Sequence, residues 1–155
     1  MPKTAAGILL YRQRKALEIL LLHHGGPYWA KKDAGAWTFP KGLVEPDEAP
    51  AAAARREFAE ETGTALPIGT PLLDLGEAKM KSGKLNRIFA AEGDFDPATL
   101  RSNTVRLQWP PRSGRYQDFL EVDRAIWADV ESARLKLNAA LVVFVERLLV
   151  QLDGS

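Results

Sequence analysis

Apolar residues at the start of the chain are grouped in short runs that predict β-strands. Residues 4–12 and 17–23 are mostly apolar and too short for buried helices, and the polar stretch between them is typical of a hairpin turn. A Gly-rich segment, 24–36, then predicts a long loop, which is followed by a short strand at 37–39. Loops of more than about 12 residues in a compact domain are often functional.

The middle of the chain predicts one helix and a pair of strands. The helix covers residues 49–62, with Asp47 as its N-cap and Gly63 as its C-terminal stop. Two β-rich runs, 72–80 and 85–95, are joined by a Lys-Ser-Gly-Lys turn and predict a second hairpin.

The following segment gives a weaker pattern. Residues 105–109 alternate like a strand, and the rest of the stretch as far as Glu121 is expected to be loop, with a Pro-rich part at 110–115. Residues 125–128 suit a short strand.

The end of the chain predicts helices. Asp129 can start a turn or short helix over 130–136, and Asn138 caps a clear C-terminal helix over 139–152. Strands that precede, interrupt and follow the predicted helices indicate an α+β fold or an α/β/α sandwich.

Composition narrows the class of protein. With 155 residues, of which 46% are apolar and 26% charged, the chain is expected to form a single domain over 1–155. A net charge of +1 gives no support for a nucleic-acid or membrane-surface binder. The apolar run near the N-terminus is too short for a membrane span, and no cysteine is present, so a soluble cytoplasmic protein is expected.

Three glutamates on the predicted helix are candidates for chemistry. Glu57, Glu60 and Glu61 are related by i, i+3 and i+4, so their side chains share one helix face. Like charges placed in this way repel each other, whereas a hard cation such as Mg²⁺ takes clustered carboxylates as ligands. A solvated acidic face is the alternative, because most charge runs are of that kind.

The stretch around these glutamates, residues 42–64, is called the acidic motif below. It has Gly42, then Glu48 after five residues, and then Arg-Glu-Phe-Ala-Glu-Glu-Thr-Gly from position 56. This resembles the signature of the Nudix hydrolase family, and the chain departs from it only at Thr64, where a bulky apolar residue is usual. The resemblance implies an α+β Nudix fold, in which a mixed sheet is sandwiched between helices.

The resemblance also implies a reaction. Nudix hydrolases split a pyrophosphate bond in a nucleoside diphosphate linked to another moiety, with Mg²⁺ or Mn²⁺ as cofactor. Glu57, Glu60 and Glu61 match the family's metal ligands, which are also its catalytic residues. Arg56 matches the arginine that orients a helix glutamate, and Glu48 is expected to order the loop or to cap the helix.

The general base is assigned by a second resemblance. In relatives of the diadenosine tetraphosphate hydrolase type, a glutamate six residues before a tryptophan lies over the metals. Glu121 and Trp127 have that spacing, so Glu121 is expected to be the base or an extra metal ligand. Glu92, in the strand that ends at Phe95, is the rival.

Substrate binding is expected to use basic and aromatic residues near the cleft. The Lys41 ammonium can meet a phosphate, and by resemblance its carbonyl is a metal ligand, while Gly42 is expected to adopt a backbone conformation closed to other residues. His23 and His24 are interpreted as structural or solvent-facing. The full set of predicted substrate-binding residues is Lys41, Arg112, Arg115, Lys79 and Tyr28.

The favoured substrate is a dinucleoside polyphosphate such as diadenosine tetraphosphate. This preference comes from the Trp-Thr-Phe-Pro-Lys-Gly lead-in at 37–42 and from the spacing of Glu121, both of which resemble that branch of the family. Nucleoside triphosphates, ADP-ribose and nucleotide sugars are the alternatives. A non-catalytic nucleotide-sensing domain is a further alternative, although such domains usually lose motif glutamates. Removal of 5′ pyrophosphate from RNA is expected to need a basic face, which the net charge does not provide.

Overall fold

The computed structural model describes residues 3–154, and in this part of the chain it shows nine strands and three helices. The strands are β1 (Thr4–Gln13), β2 (Leu17–His24), β3 (Trp37–Thr38), β4 (Lys41–Leu43), β5 (Leu73–Lys79), β6 (Leu85–Glu92), β7 (Thr104–Gln108), β8 (Tyr116–Leu120) and β9 (Val122–Asp129). The helices are α1 (Pro50–Thr62), α2 (Val130–Lys136) and α3 (Val142–Gly154). None of the three has the length and apolar character needed to cross a bilayer.

Seven of the strands form one mixed sheet. β1 and β6 run parallel, and the other pairs are antiparallel. β1 shares its second edge between β4, at residues 5–7, and β2, at residues 11–13. β2 pairs along its other edge with β9, and β5 pairs with β6. β7 and β8 form a separate two-stranded hairpin.

The sheet buries an apolar core on each face, because successive side chains in a strand point to opposite sides. Ile8 and Leu10 of β1 pack in the same cluster as Phe58 of α1. Leu9 packs in the other cluster with Phe144 of α3. A mixed sheet between α1 on one face and α2 and α3 on the other confirms the predicted α+β fold.

Helix α1, which carries the acidic motif, has the predicted C-terminal end but a different N-terminal end. Gly63 has φ 82°, and its N–H donates to the carbonyl of Ala59, so a residue without Cβ closes the helix. The prediction that Asp47 caps the helix was wrong. The N-cap is Ala49, without a side-chain hydrogen bond, and Asp47 lies outside the helix with φ 65°.

Three other predicted elements differ from the structure. Strand β4 lies where a loop was expected, and it pairs with β1 through long-range contacts that no local pattern indicates. Strand β8 also lies in an expected loop; its residues are mostly exposed, so it lacks the apolar signal of a core strand. Asn138 caps a 3₁₀ turn at Ala139–Leu141, and α3 begins only at Val142.

Candidate active site

Arg56 connects the loop of the acidic motif to helix α1. Its Nε and Nη2 donate to the two carboxylate oxygens of Glu48 at 2.8 and 2.9 Å, and Nη1 donates to Glu57 at 2.7 Å and to Glu60 at 3.2 Å. Nη2 also donates to the carbonyl of Leu43 at 3.0 Å. All five N–H groups of the guanidinium therefore have acceptors. The hydrogen bonds from Arg56 lower the pKa of Glu48 to about 2.

Gly42 makes room for the carboxylate of Glu57. A Cβ on Gly42 would lie 2.6 Å from Glu57 Oε2 and closer still to Oε1 and Cδ. The expectation that Gly42 needs a special backbone conformation was wrong, because it is not among the positive-φ residues of the described chain. Its missing side chain provides space, and this space lets α1 hold a carboxylate against the backbone of β4.

Glu61 is the buried carboxylate of the motif. Its side chain accepts a weak hydrogen bond from the backbone N–H of Lys41 at 3.4 Å, and the residue is only 7% exposed. Burial, with the negative charge of Glu121 as a second cause, raises the pKa of Glu61 to about 8. Burial also raises the pKa of Glu121. The two carboxyl groups therefore interact across the site, although they are 60 positions apart in the sequence.

The backbone on both sides of the site holds Glu121 in place. Glu121 lies between β8 and β9; its N–H donates to the carbonyl of Asn103 at 2.9 Å, and its carbonyl accepts from the N–H of Gly25 at 2.8 Å. These bonds join the β7–β8 hairpin to the start of the long loop after β2. The base that was predicted from spacing is thus placed at the junction of two chain segments that border the site.

Two adjoining cavities meet at this point, and three residues, Lys41, Glu61 and Glu121, line both. The first, called the acidic cavity, has a volume of about 530 Å³ and is also lined by Arg56, Glu57 and Glu60. The second, called the aromatic cavity, has a volume of about 390 Å³ and is also lined by His24, Tyr28, Trp29, Phe39, Val105 and Leu107. A ligand with one charged and one apolar part can therefore span both.

Lys41 is the cation at the junction of the cavities. Its side chain is largely removed from water, and burial, followed by the positive charge of Lys84, lowers its pKa. Lys84, the residue before β6, is therefore close enough to interact with Lys41. Lys79, which was predicted to bind substrate, does not line either cavity.

The other predicted substrate residues are divided between the site and the surface. Tyr28 lines the aromatic cavity and is 53% exposed. Arg112 and Arg115 lie in the turn of the β7–β8 hairpin and line neither cavity. Glu92, the rival base, lines a separate cavity with Tyr11 near the other end of β6.

The two histidines at the end of β2 have different surroundings. His23 is fully buried, with Nδ1 2.8 Å from Asp123 and Nε2 2.7 Å from the carbonyl of Lys32, which is the structural role that was expected. His24 lines the aromatic cavity and stacks on Trp29, with ring centroids 4.6 Å apart. Sequence reasoning missed this residue; the available signal was its place at the start of a long loop.

The carboxylates of the site fit a hard divalent cation chemically. They offer oxygen ligands alone, which Mg²⁺ and Mn²⁺ prefer, and burial of Glu61 disfavours its charge unless a cation is close. Within residues 3–154, however, no three acidic, His or Cys side chains are gathered in a metal-binding arrangement. Glu57 and Glu60 each present one carboxylate oxygen, Oε2, to Arg56.

Comparison with known proteins gives one family and several similar folds. A family model described as NUDIX domain matches residues 1–148. A crystal structure of a C. elegans Ap4A hydrolase binary complex has 23% sequence identity and a TM-score of 0.67, and covers 97% of this chain and 99% of that chain. A mutT/nudix family protein from Listeria innocua has 18% identity and a TM-score of 0.65, with 99% and 96% covered.

The NUDIX domain of Shewanella oneidensis NrtR, in a cocrystal with ADP ribose, is also similar. It has 15% identity and a TM-score of 0.65, and the match covers 99% of this chain and 90% of that chain. At these identities the three similarities show a shared fold alone.

Proposed function

This chain belongs to the NUDIX domain family, and on that premise we propose that it is a divalent-metal-dependent hydrolase of pyrophosphate bonds in nucleotides. The observation that carries the proposal is the junction of the two cavities. Glu61 and Glu121 lie where the acidic cavity meets the aromatic cavity, and Lys41 lines both. This arrangement suits a molecule with a phosphate chain at one end and a heteroaromatic ring at the other.

In this proposal Glu57, Glu60 and Glu61 hold the cation. When bound, Mg²⁺ supplies Lewis-acid stabilisation of the negative charge that develops on the phosphoryl oxygens. Arg56 orients Glu57 and Glu60, because one guanidinium nitrogen donates to both carboxylates. Loss of Arg56 would leave both glutamates without this partner.

Glu121 is the proposed general base. Desolvation, followed by the negative charge of Glu60, raises its pKa, and a carboxylate with a raised pKa is a stronger base. Its backbone hydrogen bonds to Asn103 and Gly25 fix its position at the cavity junction. Lys41 is proposed to meet a phosphate as a point charge, since the residue lines both cavities.

We favour a dinucleoside polyphosphate as the substrate. The support is the Trp37–Gly42 lead-in and the Glu121 spacing, together with an acidic cavity of about 530 Å³ that opens beside an aromatic one. One of the similar structures is of an Ap4A hydrolase and another is a complex with ADP ribose, so these neighbours do not select between substrates.

The proposal is tested by incubating the purified protein with Mg²⁺ and a panel of nucleotides, with products separated by chromatography. The panel contains diadenosine tetraphosphate, the nucleoside triphosphates, ADP-ribose and UDP-glucose. We expect diadenosine tetraphosphate to give ATP and AMP fastest. Faster cleavage of another nucleotide would support the proposed reaction but contradict the proposed substrate. If no nucleotide is cleaved with Mg²⁺ or Mn²⁺, the proposal that the protein is a hydrolase is refuted.

A further inference from the structure

His24 has a fixed ring in the wall of the aromatic cavity. The imidazole stacks on Trp29 with an angle of 28° between the ring planes. The Lys32 ammonium lies 5.4 Å from the centre of the Trp29 ring. Because Trp29 is itself packed against the apolar core, the stack holds His24 in one orientation.

The loop that follows His24 and carries Trp29 is held firmly at its returning end. Buried His23 joins the carbonyl of Lys32 to Asp123 on β9, and the indole N–H of Trp37 donates to Asp33 at 2.8 Å. Lys136 of α2 also pairs with Asp33, at 2.8 Å. These bonds fix the loop before a ligand enters, so the aromatic cavity is largely preformed.

The chemistry of His24 is that of a neutral hydrogen-bonding ring. Burial, followed by the positive charge of Lys41, lowers the pKa of His24 to about 4. A neutral imidazole offers one N–H donor and one nitrogen acceptor. Among the residues that the structure describes, no side-chain hydrogen-bond partner of His24 is found, so both groups are available to a ligand in the cavity.

The remainder of the cavity is apolar and aromatic. Phe39, Val105 and Leu107 line it, and half-exposed Tyr28 stands edge-on to Trp109 with ring centroids 5.3 Å apart. These walls suit a flat ring that buries its faces and needs partners only along its edge. A phosphate group would lose its hydration there without gaining a cation, except at Lys41, where the acidic cavity begins.

We propose that His24 is a specificity residue that hydrogen-bonds the edge of a neutral nucleobase bound in the aromatic cavity, with Tyr28 providing an exposed ring face. This inference rests on the proposed function for the orientation of the ligand, because the phosphates then lie toward Lys41 and the acidic cavity. It adds a binding residue to the site and makes the aromatic cavity the part of the protein that distinguishes nucleotides from simpler phosphates.

Equilibrium binding in EDTA tests this role without any turnover. ADP and inorganic pyrophosphate are titrated into the wild type, His24→Phe and His24→Gln by calorimetry. Phenylalanine keeps a ring on Trp29 but has no donor or acceptor, whereas glutamine keeps both groups without the ring. For His24→Phe we expect the Kd for ADP to rise about tenfold, as for the loss of one hydrogen bond to a buried group, and the Kd for pyrophosphate to stay unchanged. His24→Gln should retain most of the ADP affinity.

Three results would overturn the inference. These are unchanged ADP binding by His24→Phe, an equal loss for ADP and pyrophosphate, and a wild type that binds ADP no more tightly than pyrophosphate. Thermal melts of each variant check that it is folded; if His24→Phe is not, a His24→Gln protein that is folded but binds ADP as weakly as pyrophosphate would overturn the inference. Failure of the hydrolysis panel would remove the proposed reaction, but the ADP titration reports on the aromatic cavity independently.

Discussion

Replacing Gly42 with alanine should lower turnover strongly while lowering the free energy of unfolding only a little. The added Cβ would lie 2.6 Å or less from atoms of the Glu57 carboxylate, and ordinary contact begins at 3.4 Å. The carboxylate must therefore retreat by about 1 Å. Because it is the end of a flexible side chain, it can move without displacing the backbone, and we expect the free energy of unfolding to fall by only about 1 kcal/mol, the low end of the cost of inserting a methyl group.

The same movement should be costly for turnover. A misplacement of about 1 Å in a catalytic group can reduce the rate by about 100-fold. Glu57 is a proposed metal ligand and is also held by Arg56, so its movement disturbs both contacts. We therefore predict that Gly42→Ala lowers kcat by about 100-fold, measured as initial rates on the best substrate of the panel at saturating Mg²⁺.

Two other glycines provide controls. Gly93→Ala meets only Leu10 Cδ1, at 3.3 Å, and should leave kcat and stability near the wild-type values. Gly7→Ala meets the backbone of Pro40 and Lys41, so it should destabilise the fold itself. A Gly42→Ala protein with wild-type kcat would show that the position of Glu57 is unimportant. A loss of stability as large as that of Gly7→Ala would show that the space serves packing rather than the site.

Three further predictions concern single side chains. Glu61→Gln should lose turnover by orders of magnitude. Because the pKa of Glu61 is raised from 4.5 to about 8, the metal-free wild type should also lose stability relative to this variant as the pH rises between those values. Melting in EDTA would show this as a Tm difference that widens with pH. Glu121→Gln should lower kcat by about 10²- to 10⁴-fold with little change in KM. Glu92→Gln, in a separate cavity, should match the wild type. The reverse result would show that Glu92 is the general base. His23→Ala removes a fully buried ring and its hydrogen bonds to Asp123 and to the carbonyl of Lys32, so it should lower the free energy of unfolding in urea by about 1–3 kcal/mol; an unchanged midpoint would contradict this.

The sequence predicted best the parts of the site that depend on local spacing. Helix α1, its end at Gly63 and the shared face of the motif glutamates follow from a continuous stretch of chain, and the structure shows this helix and its C-cap. The Asp47 cap was wrong because the chain turns through a positive φ at that residue and begins the helix three residues later, at Pro50, with Ala49 as the N-cap.

The parts that depend on distant segments were less predictable. Strand β4 exists because Gly7 allows β1 to approach Lys41, and no pattern within three residues shows such a contact. The place of His24 in the cavity depends on how the loop after β2 folds back, which its glycines permit but do not specify. Arg112 and Arg115 were chosen for their chemistry, and the hairpin turn carries both beyond the cavities.

The most direct test of the central claim is the Mg²⁺ dependence of pyrophosphate hydrolysis, measured for the wild type beside Glu57→Gln. If the acidic face of α1 holds the catalytic cation, wild-type initial rates will rise from zero in EDTA to saturation with Mg²⁺. Glu57→Gln will need more Mg²⁺ and reach a much lower maximum rate. Hydrolysis by the wild type that is equally fast in EDTA, or a Glu57→Gln curve that coincides with the wild-type curve, would contradict the account.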